Sequence, residues 1–148
     1  MGRQGTSGWV RLAAVALLAA GVLAGTAVPA GADEGLTVTA TSARTASAAT
    51  DVVLSGTYAC GPFTSGVPDR GVIDLTVTQG RGRAATAYGY LEPAVCDGTA
   101  QPFTTTLTGV SGRTFHPGPA TWSASGYVEG DGGLQHTSVP PTAIRLRR

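Results

Sequence analysis

The chain has 148 residues with 10 basic and 9 acidic side chains, so its formal net charge at pH 7 is only +1. All of the basic residues are arginines, and both lysine and asparagine are absent. A net charge this close to zero provides no strong field for attracting nucleic acid or an anionic membrane, and a chain without asparagine has no acceptor for N-linked glycans.

The first 32 residues have the order of a secretory signal peptide. Arg3 and Arg11 form a basic region, the apolar run Leu12 to Leu23 comes next, and small residues follow, ending in Ala30-Gly31-Ala32. The run is shorter than a typical membrane span, although an uncleaved N-terminal anchor is the alternative. We expect cleavage after Ala32, or as a second choice after Ala30, and a secreted, extracellular mature chain, 33–148, that forms one domain and has no membrane association.

The mature sequence is predicted to form short strands separated by turns. Segment 33–50 contains a first strand followed by a loop rich in Thr, Ser and Ala, and 51–148 contains the remaining strands. The clearest strand is "VIDLTVTQ", in which Ile73, Leu75 and Val77 alternate with polar residues and are expected to point inward.

About seven strands are predicted, and the mature chain shows no sustained helical periodicity. We therefore expect an all-β fold, an antiparallel immunoglobulin-like β-sandwich of about seven strands with one disulfide. A small closed barrel with the same number of strands is the alternative.

Cys60 and Cys96 are the only cysteines. Export would place them in an oxidising compartment, where two cysteines are typical of a single disulfide. Thiol catalysis and zinc binding fit less well, because the chain has no asparagine for a Cys-His-Asn set and neither C-x-x-C nor H-x-x-x-H spacing. The bridge would close a loop of about 37 residues, which the chain-entropy model values at roughly 3.8 kcal/mol.

Four short motifs occur in the order "LSGTYACG", "VTQGRG", "AVCDGT" and "FHPGPATWSA". In this order they resemble a family of secreted actinomycete domains of unknown function, over about residues 36–147. The resemblance implies export, a disulfide between Cys60 and Cys96, and no assigned activity or site residue. A fainter likeness connects the chain with secreted chromophore-binding apoproteins of the same bacteria, which typically carry two disulfides.

No motif predicts catalysis or a metal site, so we expect no catalytic residue, no metal ligand and no cofactor. Most candidate carboxylates adjoin Gly or Pro at predicted turns, where short acids cap backbone groups; only Asp74 lies within a strand, where it is expected to face solvent. "EGDGG" lacks the spacing of a calcium loop. His116 and His136 are expected to be surface residues, because no third ligand accompanies them.

The aromatic residues are the remaining candidates for a site. Trp122 lies between Ala120 and Ala124 on one face of a strand, which predicts a core position. Tyr88 and Tyr90 flank Gly89 and share a face, so they form either an exposed binding surface or part of the core. The C-terminal "RLRR" is expected to be solvated, with contact to anionic wall polymers as the alternative.

These features favour a secreted, non-catalytic bacterial module with a binding or structural role. Its expected partner is an extracellular protein or a glycan, and neither nucleic acid nor a membrane. A small hydrolase that uses carboxylates and a carrier of an apolar small molecule are the alternatives.

Overall fold

A computed structural model describes residues 35–148, so the predicted signal peptide, 1–32, lies outside the described residues. The strands, in chain order, are β1 (Thr37–Thr45), β2 (Val52–Ala59), β3 (Arg70–Gln79), β4 (Ala85–Leu91), β5 (Gln101–Gly109), β6 (Gly118–Gly130) and β7 (Gly133–Arg147). Within residues 35–148 no helix is long and apolar enough to cross a membrane.

The seven strands form one closed barrel, in the order β1-β2-β5-β4-β3-β6-β7. All neighbouring strands are antiparallel except β1 and β7, which are parallel and close the barrel through Ala43 opposite Leu146 and Arg44 opposite Arg147. The prediction of an antiparallel immunoglobulin-like sandwich is therefore wrong, although the all-β class and the number of strands are confirmed.

The sandwich prediction failed because the inner faces of a sandwich and the interior of a barrel require the same alternation of apolar and polar residues. What distinguishes them is the pairing of the two outermost strands. Here β6 and β7 form a long hairpin, in which Gly130 pairs with Gly133 beside the turn and Gly118 pairs with Leu146 at the far end. The last residues of β7 thereby reach β1, and no open edge remains between the first and last strands.

One apolar cluster fills the barrel. Ile73, Leu75 and Val77 of β3 are fully buried, as their alternation predicts. Trp122 of β6, which is 5% exposed, pairs with Val77 in the strand register. Twenty-two buried hydrophobic residues belong to this cluster, so the interior is a packed core.

We call the end of the barrel where β2 ends and β3 begins the disulfide end. There Cys60 and Cys96 are bonded and join the β2–β3 loop to the β4–β5 loop. The buried Phe63 covers the core at this end. A Cβ atom on Gly130 or Gly132 would lie 2.6 or 2.9 Å from its ring, so the β6–β7 turn requires glycine there.

The opposite end carries the loops β1–β2, β3–β4 and β5–β6. The β5–β6 loop passes over the ends of β4 and β3, because β5 and β6 are not neighbours in the barrel. Its buried Phe115 donates a backbone hydrogen bond of 2.7 Å to the carbonyl of Ala49. Each end of the core is thus covered by one phenylalanine from a loop.

Candidate functional site

A cleft opens in the barrel wall where β4 and β5 separate. These strands pair only at Ala87 with Gly109 and at Tyr88 with Thr108. Beyond Tyr88, β4 continues along β3, and β5 continues along β2. The cleft between them has a volume of about 540 Å³, and its lining residues are Tyr88, Gly89, Tyr90, Thr105, Thr106, Thr108 and Val110.

The tyrosine pair projects from the outer face of β4 beside this cleft. Tyr88 is 44% exposed and Tyr90 is 58% exposed. Sequence reasoning left open whether these rings face solvent or the core, and the structure places both on the outside. They are two of six large hydrophobic side chains that are substantially exposed in the described chain.

Gly89 explains why the two tyrosines face outward. The residue between them faces the barrel interior, where the buried Leu107 of β5 approaches β4 closely. A Cβ atom on Gly89 would lie 2.7 Å from Cδ2 of Leu107, so only glycine fits at this position without displacing that side chain. Leu107 thereby lies beneath the cleft and separates it from the core.

Asp74 of β3 fixes the orientation of Tyr88. The Tyr88 hydroxyl donates a hydrogen bond to Oδ1 of Asp74. This bond raises the pKa of Tyr88 above its ordinary value, with a smaller contribution from burial, because ionisation of the phenol would remove the donated proton. Asp74 lies on the outer face of its strand, as expected, where it is half-buried and holds the tyrosine in place.

The chemistry of the cleft is aromatic and neutral. The two tyrosines stand on one side, and Thr105, Thr106 and Thr108 line the other. None of the lining residues carries a charge at neutral pH. Rings and hydroxyls in such an arrangement can pack against, and hydrogen-bond with, a partly apolar ligand rich in hydroxyl groups.

The two cysteines are located away from this cleft and form a structural bond. Cys60 and Cys96 are both buried, with an S–S distance of 1.98 Å. Backbone hydrogen bonds from Phe63 to Cys96 and from Gly98 to Cys60 hold the two loops together around the bridge. A bonded, buried sulfur pair has neither the thiolate nor the access that nucleophilic catalysis requires.

Two of the turn carboxylates considered for acid–base chemistry, Asp97 and Asp131, form local hydrogen bonds. Asp131 accepts hydrogen bonds from the amide of Thr64, at 2.9 and 3.0 Å, and Asp97 accepts them from Thr99. The hydrogen bonds from Thr64 and Thr99 lower the pKa values of Asp131 and Asp97, respectively. A general acid requires the opposite shift, so these two groups do not suit the general-acid role in the hydrolase hypothesis.

The histidines lie in different parts of the barrel. His116 belongs to the β5–β6 loop, and His136 lies on β7 with its ring centroid 6.3 Å from that of Tyr127. Within the described chain, no group of three or more His, Cys, Asp or Glu side chains is arranged to hold a metal ion.

Trp122 lies inside the barrel, where its side chain is buried. Its indole is part of the cluster that fills the interior, together with side chains such as Phe103 and Leu75. A carrier of an apolar molecule needs a deep apolar cavity, and this packed arrangement gives the carrier hypothesis no support.

The chain was also compared with known proteins. No family model, no characterised protein and no solved structure matches it.

Proposed function

We propose that this protein is a secreted, non-catalytic barrel module that binds an uncharged glycan in the cleft between β4 and β5. The single observation that carries the proposal is the exposed pair Tyr88 and Tyr90 opposite a row of threonines in a cleft of about 540 Å³. This volume is in the range of ligand sites, roughly 300–1,000 Å³.

The tyrosines supply the packing surface in this proposal. A sugar ring presents apolar C–H groups on one face, which can lie on an aromatic ring, and hydroxyls at its edge. Tyr88 is held by Asp74, so its ring is oriented before the ligand arrives. Tyr90 is the more exposed ring and would make the larger contact.

Secretion is supported by two independent features. The N-terminal sequence has the order of a signal peptide, and the buried disulfide is consistent with an oxidising compartment. Membership of the secreted actinomycete family stays a prediction from the four sequence motifs.

The test begins with the full-length chain expressed in a bacterial host and recovered from the culture medium. We expect a mature protein that starts at Asp33. Calorimetric titration with cello-, malto- and chito-oligosaccharides is then expected to detect binding of at least one series. Tyr90→Ala should weaken this binding at least about fivefold, because it removes an aromatic contact worth about 1 kcal/mol.

Two variants serve as matched controls. Tyr90→Phe keeps the ring and should retain most of the affinity, and Tyr127→Ala removes a partly exposed tyrosine from β6, outside the cleft. The proposal is wrong if none of the three oligosaccharide series binds, or if Tyr90→Ala binds as well as the unaltered protein.

A further inference from the structure

The charged side chains separate along the axis of the barrel. We call the end opposite the disulfide the arginine end, because seven of the eight arginines in residues 35–148 lie there, on β1, β7 and the β3–β4 and β5–β6 loops. Five of the seven carboxylate side chains in the same residues lie in or beside the loops of the disulfide end. A chain with almost no net charge therefore folds into a strongly bipolar molecule.

The arginines of this end are exposed and have no acidic partner. Within the described residues, the only salt bridge joins Arg70 to Glu129, and it lies near the disulfide end. The one carboxylate side chain at the arginine end, Asp51, already accepts a hydrogen bond of 3.0 Å from the amide of Gly109. Asp51 offsets only one of the seven positive charges, so most of them face solvent without a compensating acidic side chain.

Two groups of arginines can be distinguished. The first adjoins a cleft of about 490 Å³, whose lining includes Arg83, Arg113 and His116. Gln79 holds one wall of this cleft, because its Nε2 donates to the carbonyl of His116 at 2.8 Å and its Oε1 accepts from the His116 amide at 2.9 Å. The β5–β6 loop, which carries Arg113, is thus fixed to the end of β3.

The second group lies on the outer wall where β7 meets β1. Arg147 is directly opposite Arg44 in the parallel register, and Arg145 precedes Arg147 by two residues on the same face of β7. Like charges in directly opposite positions destabilise a strand pair. An anion bound between Arg44 and Arg147 would remove this repulsion, so the pairing of these two residues favours anion binding at this position.

We infer that the arginine end binds a flexible, single-chain polyanion that carries repeated phosphate or carboxylate groups. The two groups of arginines lie on different strands and loops around the barrel end, with β6 between β3 and β7, so a flexible polymer can contact both more readily than one small anion. Arginine suits this role because its guanidinium forms bidentate contacts with either kind of oxyanion. This site is separate from the tyrosine cleft and does not depend on the proposed glycan.

A second copy of the chain is a less suitable partner. The disulfide end would have to supply free carboxylates, but three of its five are already engaged: Asp97 with Thr99 in its own loop, Asp131 with the amide of Thr64 in the β2–β3 loop, and Glu129 with Arg70. A lipid surface is also less suitable. In the described chain, Val110 is the only large hydrophobic side chain near this end that is substantially exposed.

The test measures binding of the secreted protein to inorganic polyphosphate and to polygalacturonate, with neutral dextran as a negative control. We expect binding of at least one polyanion, weakening steeply between about 50 and 200 mM salt. The relative affinities for the two polymers show which oxyanion is preferred. Arg83→Gln with Arg113→Gln, and separately Arg145→Gln with Arg147→Gln, should each reduce the affinity about tenfold.

Arg70→Gln is the matched control, since it removes an arginine from the disulfide end and should leave the affinity unchanged. Tyr90→Ala should also leave it unchanged, which separates this test from that of the glycan cleft. The inference is overturned if neither polymer binds, if Arg70→Gln is as damaging as the double variants, or if duplex DNA or anionic vesicles bind more tightly than both polymers. Concentration-dependent self-association that the double variants abolish would instead identify a second copy as the partner.

Discussion

The two ends of the barrel are built alike but use their polar groups differently. At each end a loop phenylalanine covers the core, Phe63 at the disulfide end and Phe115 at the arginine end. At each end a strand glutamine also binds the backbone of a loop, Gln135 at Gly61 and Gln79 at His116.

The two ends differ in what their remaining polar and charged groups contact. At the disulfide end the loops are joined to one another, through the Cys60–Cys96 bridge and through carboxylates such as Asp131 that accept hydrogen bonds from a neighbouring loop. The arginine end has no covalent link between its loops, and its cations point to solvent. The comparison shows that a similar pattern of loop anchoring can leave one end closed and the other available for binding.

The largest expected effect comes from removing the disulfide. Cys60→Ala with Cys96→Ala should lower the free energy of unfolding by about 3.8 kcal/mol, because the unfolded chain gains the entropy of an open loop. Chemical denaturation with and without reductant measures the change. Hydrogen exchange should accelerate more at the Phe63 amide than at the Phe115 amide; equal acceleration at both would show that the two ends are not independent.

An intermediate effect is expected from the two glutamines. Gln79→Ala removes the bonds that hold the β5–β6 loop and should accelerate exchange of the Phe115 amide about tenfold, equivalent to about 1.4 kcal/mol for the lost bonds. In Gln135→Ala the Phe63 amide should stay protected, since the disulfide still holds its partner Cys96 in place.

Each glutamine variant is the control for the other, because each removes a glutamine side-chain amide on a strand that bonds to the backbone of a loop. The proposed difference between the ends is contradicted if Phe63 exchanges faster in Gln135→Ala than Phe115 does in Gln79→Ala. Repeating the measurement on the reduced protein should abolish the protection of Phe63 in Gln135→Ala.

The smallest effect concerns pH. The hydrogen bonds from Thr64 lower the pKa of Asp131 below its unfolded value of 3.8. Its ionised form therefore stabilises the fold above that pH, and the contribution is lost as the pH falls through the folded pKa. The thermal midpoint of Asp131→Asn should be lower than that of the unaltered protein at neutral pH, and the difference should shrink in acid. Glu92→Gln controls for the loss of one negative charge at the same end.

Much of the local structure was predictable from the sequence, but the closure of the sheet into a barrel was not. The alternation of Ile73, Leu75 and Val77 identifies a half-buried strand, and this holds for a barrel as well as for a sandwich. The parallel pairing of β1 with β7 joins residues about a hundred positions apart. Local periodicity contains no information about such a contact, so the choice between the two architectures depended on more than the pattern.

The candidate sites were predictable in part. Tyr88 and Tyr90 were identified as a pair, but their direction depends on Gly89, whose close approach to Leu107 is a contact between strands. Of the arginine end, only the C-terminal "RLRR" was singled out, because the other charges were summed over the whole chain. Assigning each charge to the strand end nearest to it would have revealed the separation, since Arg81, Arg83 and Arg113 all follow strands that run toward the same end.

The parallel pairing of β1 with β7 also has a mechanical consequence. β1 begins at the disulfide end and β7 finishes at the arginine end, and the two strands lie side by side. A tether pulling on the chain before β1 and after β7 would slide these strands along each other, so that their hydrogen bonds bear the load together and do not open one after another.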